Sequence, residues 1–125
     1  MLRDIEAFSG FSVDDAERAR EFYTETLGLE ADEPQGPGFR LKLGSGATVF
    51  VYAKGEAHRP ASFTVLNFPV DDIESTVDGL VERGVEFERY DDFEHDERGI
   101  ARGGPVRIAW FTDPAGNVIS VMQEA

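Results

Sequence analysis

The segment FSVDDAERAREFYTETLG at residues 11–28 returns later in the chain as FPVDDIESTVDGLVERG at residues 68–84. Each copy runs from an aromatic residue through Val and Asp-Asp into an amphipathic helix pattern, and each closes on Gly. Phe11 aligns with Phe68 and Val13 with Val70 at one constant offset. Such a repeat predicts two similar modules, because each copy encodes the same series of elements.

The residues around the two copies predict the elements of each module. Alternating residue types over 4–12 favour a first strand, and SFTVLNF at 62–68 is its counterpart. Asp14 and Asp71 are the expected helix N-caps, with a Glu three residues later in each copy. The first helix is expected to run to about Leu27, and glycines 28 and 84 are expected to end the two helices.

The remaining segments predict two hairpins and several loops. FRLKL at 39–43 and TVFVYA at 48–53 flank a Gly-Ser-Gly turn, and VRIAWFT and NVISVMQ flank Asp113-Pro114-Ala115-Gly116. A further strand is expected near residues 85–90. The Pro- and Gly-rich segment at 31–38, the link at 54–61 and the acidic stretch at 91–104 are expected to be loops. The pattern is β-α-β-β(-β), twice, which is an α+β fold.

Composition excludes several classes of protein. The 125 residues carry a formal net charge of -13, which argues against binding to nucleic acid phosphates. Cysteine is absent, so disulfides and thiolate chemistry are excluded. The start of the sequence has no signal-peptide pattern and no segment is long and apolar enough for a membrane span, so we expect a cytoplasmic protein. A solubilising surface, adaptation to salt or attraction of a cationic ligand would each explain the acidity.

The sequence resembles the vicinal oxygen chelate superfamily, which includes glyoxalase I, bleomycin- and fosfomycin-resistance proteins and extradiol dioxygenases. The resemblance rests on FSVDDAERAREFYTETLGL, FPVDDIESTVDGLVERGVEF and FTDPAGNVISVM in this order. It implies one domain over 1–125, with βαβββ modules at about 1–55 and 60–125 in tandem. Their curved mixed sheet would form a half-barrel around a cleft, with helices on the convex side. It also implies a homodimer, and it leaves open whether modules pair within one chain or across two.

The resemblance also locates the metal ligands of metal-dependent members. The two His positions, each five residues before the Val of the repeat, are Phe8 and Val65 here. The two Glu positions are Phe50 or Tyr52, with Tyr52 preferred, and Ser120. Phe and Val offer no lone pair, and neutral hydroxyl groups are poor ligands for divalent ions. Both histidines, His58 and His95, fall in predicted loops, where we expect solvated side chains. We therefore expect no metal and no other cofactor.

Strand parity predicts which side chains line the cleft. The expected ligand-binding residues are aromatic, small or polar: Phe8, Phe50, Tyr52, Phe63, Val65, Asn67, Trp110, Ser120 and Met122. The parity of the strand that carries Trp110 is left open, and each of these residues could instead be plain core. Glu6 is expected at a wet rim. Arg40 and Arg107 could clamp an anion, although exposed strand-edge arginines are the simpler interpretation.

Three functions are compatible with these features. The first is a metal-independent protein that binds an aromatic or amphipathic small molecule, for example to sequester a drug. The second is a metal-dependent lyase or dioxygenase of the same superfamily, which needs a Lewis acid. The third is an interaction module without a pocket. We rank them in this order, assign no catalytic residue, and expect neither nucleic acid nor a membrane as a partner.

Overall fold

The computed structural model describes residues 1–124, and its contacts divide the chain into two compact units. The first unit comprises Met1–Arg59 and the second begins at Pro60. Each unit contains one mixed sheet and one principal helix, so the α+β class predicted from the repeat is confirmed.

The first unit is a βαβββ module. Its elements in chain order are β1 (Ser9–Val13), α1 (Ala16–Glu21) with a π-helical continuation (Phe22–Thr26), β2 (Glu30–Ala31), β3 (Gly38–Lys42), β4 (Thr48–Ala53) and a 3-10 turn (Gly55–Ala57). The strand order is β1-β4-β3-β2, with β1 parallel to β4 and the other pairs antiparallel. The sheet is therefore open, with β1 at one edge.

The N-cap of α1 is Asp15, so the prediction of Asp14 is wrong by one residue. Asp15 has extended backbone angles and its side chain accepts a hydrogen bond from Arg18 N, whereas Asp14 Oδ1 accepts one from Asp15 N. Glu17 is thus the second helical residue, and no capping box forms. The predicted end is confirmed, because Leu27 is the C-cap and Gly28 follows with a φ of 75°.

One face of the first sheet packs on its helix and forms the core of this unit. Phe39, Leu41, Val49 and Val51 alternate along β3 and β4 and are buried, together with Ala19 and Tyr23 of the helix. The residues between them point to the opposite side, which we call the helix-distal face. The close pairing of β3 and β4 requires Gly38, because a Cβ there would lie 1.9 Å from the Val51 carbonyl oxygen.

The second unit repeats this arrangement with one additional strand. Its elements are β5 (Thr64–Pro69), α2 (Ile73–Glu82), β6 (Phe87–Glu88), β7 (Ala101–Gly103), β8 (Val106–Thr112) and β9 (Val118–Glu124). The order β5-β9-β8-β6 matches that of the first sheet, and β7 also pairs with β8. The first and last strands are again parallel neighbours. The repeat in the sequence therefore corresponds to a repeat in topology.

The second helix shows the same shift of its cap. Asp72, not the predicted Asp71, is the N-cap and accepts from Ser75 N. Ile73 and Val77 are buried against the sheet, and Arg83 and Gly84 end the helix with Gly84 at a φ of 92°. The helix side of the sheet is also tied to α2 by polar groups, because Gln123 Oε1 accepts from Ile73 N and from Arg107.

Three other predictions need correction. The first strand begins at Ser9 rather than at residue 4, and the strand expected at 85–90 is reduced to Phe87–Glu88. The stretch at 91–104 is not only loop, because it contains β7. The hairpins are confirmed. In the second, Asp113 Oδ1 accepts from Ala115 N and Asn117 N, and Gly116 has a φ of 87°.

Among residues 1–124, no helix has both the length and the apolar character needed to cross a bilayer.

Candidate functional site

Two aromatic rings lie side by side on the helix-distal face of the first unit. Phe50 and Tyr52 alternate with the buried residues of β4, and their rings stack at 5.8 Å with 16° between the planes. Both are half-buried. Gly10 lies opposite Phe50 in β1, where a Cβ would approach the Phe50 carbonyl oxygen at 3.1 Å. Gly10 therefore keeps a side chain away from the Phe50 backbone and from the edge of the Tyr52 ring.

Phe8 was predicted to join this pair. It lies just before the start of β1 and is 67% exposed. Glu6 is likewise exposed ahead of the strand. The structure thus brings Phe50 and Tyr52 together, while Phe8 is an exposed apolar side chain ahead of β1.

The basic residues of this face are already paired. Arg40 and Lys42 of β3 both contact the Asp32 carboxylate, at 3.0 and 3.2 Å. These contacts, led by the hydrogen bond from Lys42, hold the pKa of Asp32 below its usual value. In the second unit Arg107 binds Glu74 and Gln123 on the helix side of the sheet. Neither predicted arginine is therefore placed as a free anion clamp.

The register of the second sheet assigns the side of Trp110. In β8 and β9, Trp110 pairs with Ser120 and Ile108 pairs with Met122. Paired residues project to the same side, and the neighbours Ala109, Phe111 and Val121 are buried toward α2. The helix-distal face of the second unit therefore carries Trp110, Ser120 and Met122 together, which the sequence left open.

An aromatic cluster covers part of this face. Tyr90 and Phe93 each lie 5.2 Å from Trp110 between ring centroids, and His95 lies at 6.2 Å. Phe93 is 43% exposed, and the other rings are half-buried. We call Tyr90, Phe93, His95 and Trp110 the Trp110 cluster. Tyr90, Phe93 and His95 were not among the site residues predicted from the sequence. The sequence signal was a set of ring-bearing residues, Tyr90, Phe93 and His95, spaced three and two residues apart among acidic residues.

His95 fixes the loop that carries these rings. Its Nε2 accepts a hydrogen bond from Tyr90 N at 2.9 Å, so Nδ1 carries the proton and donates to the Gly99 carbonyl oxygen at 2.8 Å. His58 is also ordered, since it is buried and its Nδ1 lies 2.8 Å from Ser12 Oγ. The prediction of two solvated histidines is therefore wrong.

The polar pair Ser120 and Asn67 lies next to Trp110. Ser120 is fully buried and its hydroxyl donates to Asn67 Oδ1 at 2.7 Å. Asn67 itself is exposed. Within residues 1–124 its amide nitrogen has no protein acceptor, and the same holds for the Trp110 indole N–H and the Tyr90 hydroxyl. This face therefore presents hydrogen-bonding groups beside aromatic rings.

Tyr90 keeps its proton over a wider pH range than an ordinary tyrosine. Burial, and secondarily the charge of Glu88, raises the pKa of its phenol. Glu88 pairs with Trp110 across β6 and β8, so it projects onto the helix-distal face. Glu88 was not among the site residues predicted from the sequence. Tyr90 thus offers a neutral hydroxyl, and Glu88 a half-buried carboxylate, at the edge of the cluster.

A bulge in β5 changes the placement of the remaining predicted residues. The register shifts between Thr64 and Leu66, so Val65 has no partner in β9. The alternation that grouped Phe63 with Val65 and Asn67 is therefore broken. Phe63 lies before the strand and is 69% exposed. Of the three, Asn67 alone pairs with Ser120 on the helix-distal face.

The donor set does not fit the metal of metal-dependent relatives. Phe8 and Val65 have no lone pair, and the Ser120 hydroxyl is committed to Asn67. Among residues 1–124, no three carboxylate or imidazole side chains lie close enough to hold an ion.

Two surface cavities lie elsewhere, on the helix sides of the units. One of about 560 Å³ lies between α1 with its π-helical turn and residues 33–39, and it is lined by Glu17, Glu21, Glu25 and Glu33 among others. One of about 410 Å³ lies beside α2 and includes Asp78, Arg89 and Arg98. No residue of the predicted site lines either cavity.

The fold and the sequence together identify the family. A family model described as Glyoxalase/Bleomycin resistance protein/Dioxygenase superfamily matches residues 7–121. The chain belongs to this superfamily. The resemblance that the repeat and the Asp-Pro-x-Gly-Asn turn indicated is thus confirmed. A search of curated proteins finds no significant match.

Several solved structures of similar fold cover 95% or more of the chain. TnmS3, an antibiotic binding protein from Streptomyces sp. CB03234, is 29% identical over 98% of both chains, with a TM-score of 0.68. A putative glyoxalase family protein from Bacillus anthracis is 23% identical over 100% of both chains, with a TM-score of 0.71. The oxidase ChaP-H2 is 20% identical over 95% of this chain and 94% of its own, also at 0.71. The last two show likeness of fold alone.

Proposed function

We propose that this member of the superfamily is a metal-independent binding protein for an aromatic or amphipathic small molecule. The observation that carries the proposal is the helix-distal face of the second unit. There the Trp110 cluster lies beside donors on Asn67, Tyr90 and Trp110 that have no protein acceptor among residues 1–124. Ligand sites combine apolar and aromatic walls with a few polar groups in this way. Phe50 and Tyr52 offer a second aromatic surface on the first unit.

The comparison with TnmS3 supports the same class of function. That protein is an antibiotic binding protein, and its identity of 29% extends over almost the whole chain. Sequestering a planar antibiotic or aromatic metabolite requires ring contacts, each worth about 0.5–1.5 kcal/mol beyond area burial, and it requires no Lewis acid. The residues proposed to contact a ligand are Phe8, Phe50 and Tyr52 on the first unit, and Phe63, Val65, Asn67, Trp110, Ser120 and Met122 on the second, where we add Tyr90 and Phe93 to the proposal.

The decisive experiment is a screen of planar antibiotics and aromatic metabolites by thermal shift and tryptophan fluorescence. The chain has one tryptophan, so its emission reports on Trp110 alone. A binder should raise Tm and quench this emission. For each compound found in this way, the rise in Tm should be smaller in the Trp110→Phe variant. Val81→Ala, a change at an exposed position of α2, is the matched control. A complete screen without stabilisation or quenching would reject the proposal.

Two further measurements test the other parts of the proposal. Elemental analysis of the purified protein should find no stoichiometric zinc, nickel, iron or manganese, whereas one equivalent bound per chain would favour the metal-dependent lyase or dioxygenase. We also propose a homodimer, a single two-module domain and a cytoplasmic location. Light scattering after gel filtration should give twice the chain mass of 13.8 kDa. A monomer would reject the dimer without affecting the binding function.

A further inference from the structure

Charges of opposite sign lie on opposite sides of the second sheet. On the helix-distal face the charged residues of the strands are Glu88 of β6, paired with Trp110, and Glu124 at the end of β9. The two basic residues of the strands, Arg102 and Arg107, pair with each other across β7 and β8. They share the side of Gln123, Ala109 and Phe111, which faces α2. Among the described residues of these strands, the charged groups on the face that carries Trp110 are therefore all carboxylates.

The nearby arginines are held away from this face by other partners. Arg89 donates to the carbonyl oxygens of Asp96 and Glu97 at 2.7 and 3.0 Å. Arg98 forms a two-contact ion pair with Asp78 of α2. Arg107 binds Glu74 and Gln123 on the helix side. Glu88, by contrast, has no hydrogen bond or ion pair to a protein group among residues 1–124. Its negative charge is therefore uncompensated beside the aromatic rings.

We infer that the helix-distal face of the second unit selects planar aromatic ligands that carry a positive charge, with Glu88 as the charge partner. The inference rests on the proposed binding function and names its class of ligand. A cation is attracted to the face of an indole ring, and it gains further from a carboxylate that is already partly removed from water. The same carboxylate repels an anionic ligand of equal shape. Glu88 lies opposite Trp110 in the register of β6 and β8, and its charge contributes, after burial, to the raised pKa of Tyr90 in the same cluster.

Matched acridines test the sign of the charge. At mildly alkaline pH proflavine is a planar cation and acridine is a neutral molecule of nearly the same shape, while anthraquinone-2-sulfonate is a planar anion. Titrations followed by Trp110 quenching, corrected for absorption by the probe, give the three affinities. We expect proflavine to bind about tenfold or more tightly than acridine, as one charge-assisted contact would give, and the sulfonate to bind least. Added salt should weaken proflavine binding and leave acridine unchanged.

Glu88→Gln removes the charge at nearly constant shape. It should weaken proflavine binding about tenfold and leave acridine binding unchanged. Glu82→Gln, which removes the same charge from an exposed position at the end of α2, should change neither affinity. Circular dichroism and Tm of each variant verify that it is folded.

The outcomes separate this inference from the proposed function. Equal affinities for proflavine and acridine, or an unchanged proflavine affinity in Glu88→Gln, would overturn the selection for cations while small-molecule binding stands. Equal losses in Glu88→Gln and Glu82→Gln would also overturn it, because they would show a general effect of net charge. If no probe quenched Trp110 and the wider screen also failed, the binding function itself would be rejected.

Discussion

The hydroxyl of Ser120 donates to Asn67 Oδ1 across 2.7 Å and joins β9 to the edge strand β5. Ser120 is fully buried, whereas Asn67 is exposed. The bond orients the Asn67 amide and leaves its nitrogen directed away from Ser120. Ser120 therefore positions a neutral donor on the helix-distal face of the second unit.

A double-mutant cycle measures this contact. Ser120→Ala should lower the free energy of unfolding by about 1 kcal/mol, because one hydrogen bond is lost and the exposed Asn67 oxygen returns to water. Asn67→Ala should cost a similar amount, since it leaves the buried hydroxyl without its acceptor. Urea denaturation of both single variants and the double variant should give a coupling energy of about 0.5–1.5 kcal/mol. Strict additivity would show that the bond contributes nothing.

The positions of the helix caps give a prediction with an internal control. Asp72→Ala should destabilise the protein by about 1 kcal/mol, because the side chain accepts from Ser75 N at the start of α2. Asp71→Ala should change stability by no more than about 0.5 kcal/mol, since this residue lies outside the helix and is exposed. Urea denaturation compares the two. A larger cost for Asp71→Ala would place the cap where the sequence pattern predicted it.

The same Asp pair shows what sequence could and could not predict. Both members are good N-caps, and the choice depends on backbone angles: Asp15 is extended at φ -132° and ψ 112°. Glycines 28 and 84 were predictable because only a residue tolerant of positive φ ends a helix in this way. The hairpin at Asp113 was also predictable from local sequence, because the Asp113 side chain accepts hydrogen bonds from the backbone amides two and four residues later.

The site was less predictable because it depends on contacts between distant residues. The side of Trp110 follows from its pairing with Ser120 and Glu88, and neither pairing is encoded in a local pattern. The bulge at Val65 interrupts the alternation on which the role of Phe63 depended. The acidic stretch at 91–104 was predicted to be a loop. Within it, Phe93 packs on Trp110, and the hydrogen bond from Tyr90 N to His95 holds this segment in place. Alternation thus holds for Phe50 and Tyr52 in β4, whereas in β5 it is interrupted between Thr64 and Leu66.

Gly38 should not tolerate a side chain. Its Cβ would lie 1.9 Å from the Val51 carbonyl oxygen and 2.8 Å from Tyr52 Cα, so β3 and β4 would have to separate. Gly38→Ala should lower the free energy of unfolding by more than about 2 kcal/mol, or prevent folding. Gly44→Ala is the control, because a Cβ there meets nothing within 4 Å. Thermal and urea denaturation of both variants measure the difference, and equal stabilities would contradict the close approach of the strands.

The raised pKa of Tyr90 predicts a loss of stability at alkaline pH. The folded state holds the phenol proton above the ordinary pKa of 10.0, while the unfolded state releases it there. The folded state therefore binds more protons, and stability should fall as pH rises from about 10 through the pKa of the folded state. Urea denaturation at a series of alkaline pH values should show a shallower fall for Tyr90→Phe than for the wild type.

Direct titration of the phenol separates the two causes of its shift. The ¹³Cζ resonance of Tyr90, assigned by its loss in Tyr90→Phe, should titrate above the ordinary value. Glu88→Gln should lower this pKa only in part, because burial is the larger cause and remains in the variant. Tyr52→Phe is the control for removing a phenol outside the Trp110 cluster and should leave the Tyr90 titration unchanged. An unshifted Tyr90 resonance in the wild type would show that water reaches the phenol freely, and the packing of Tyr90 on Trp110 would then be wrong.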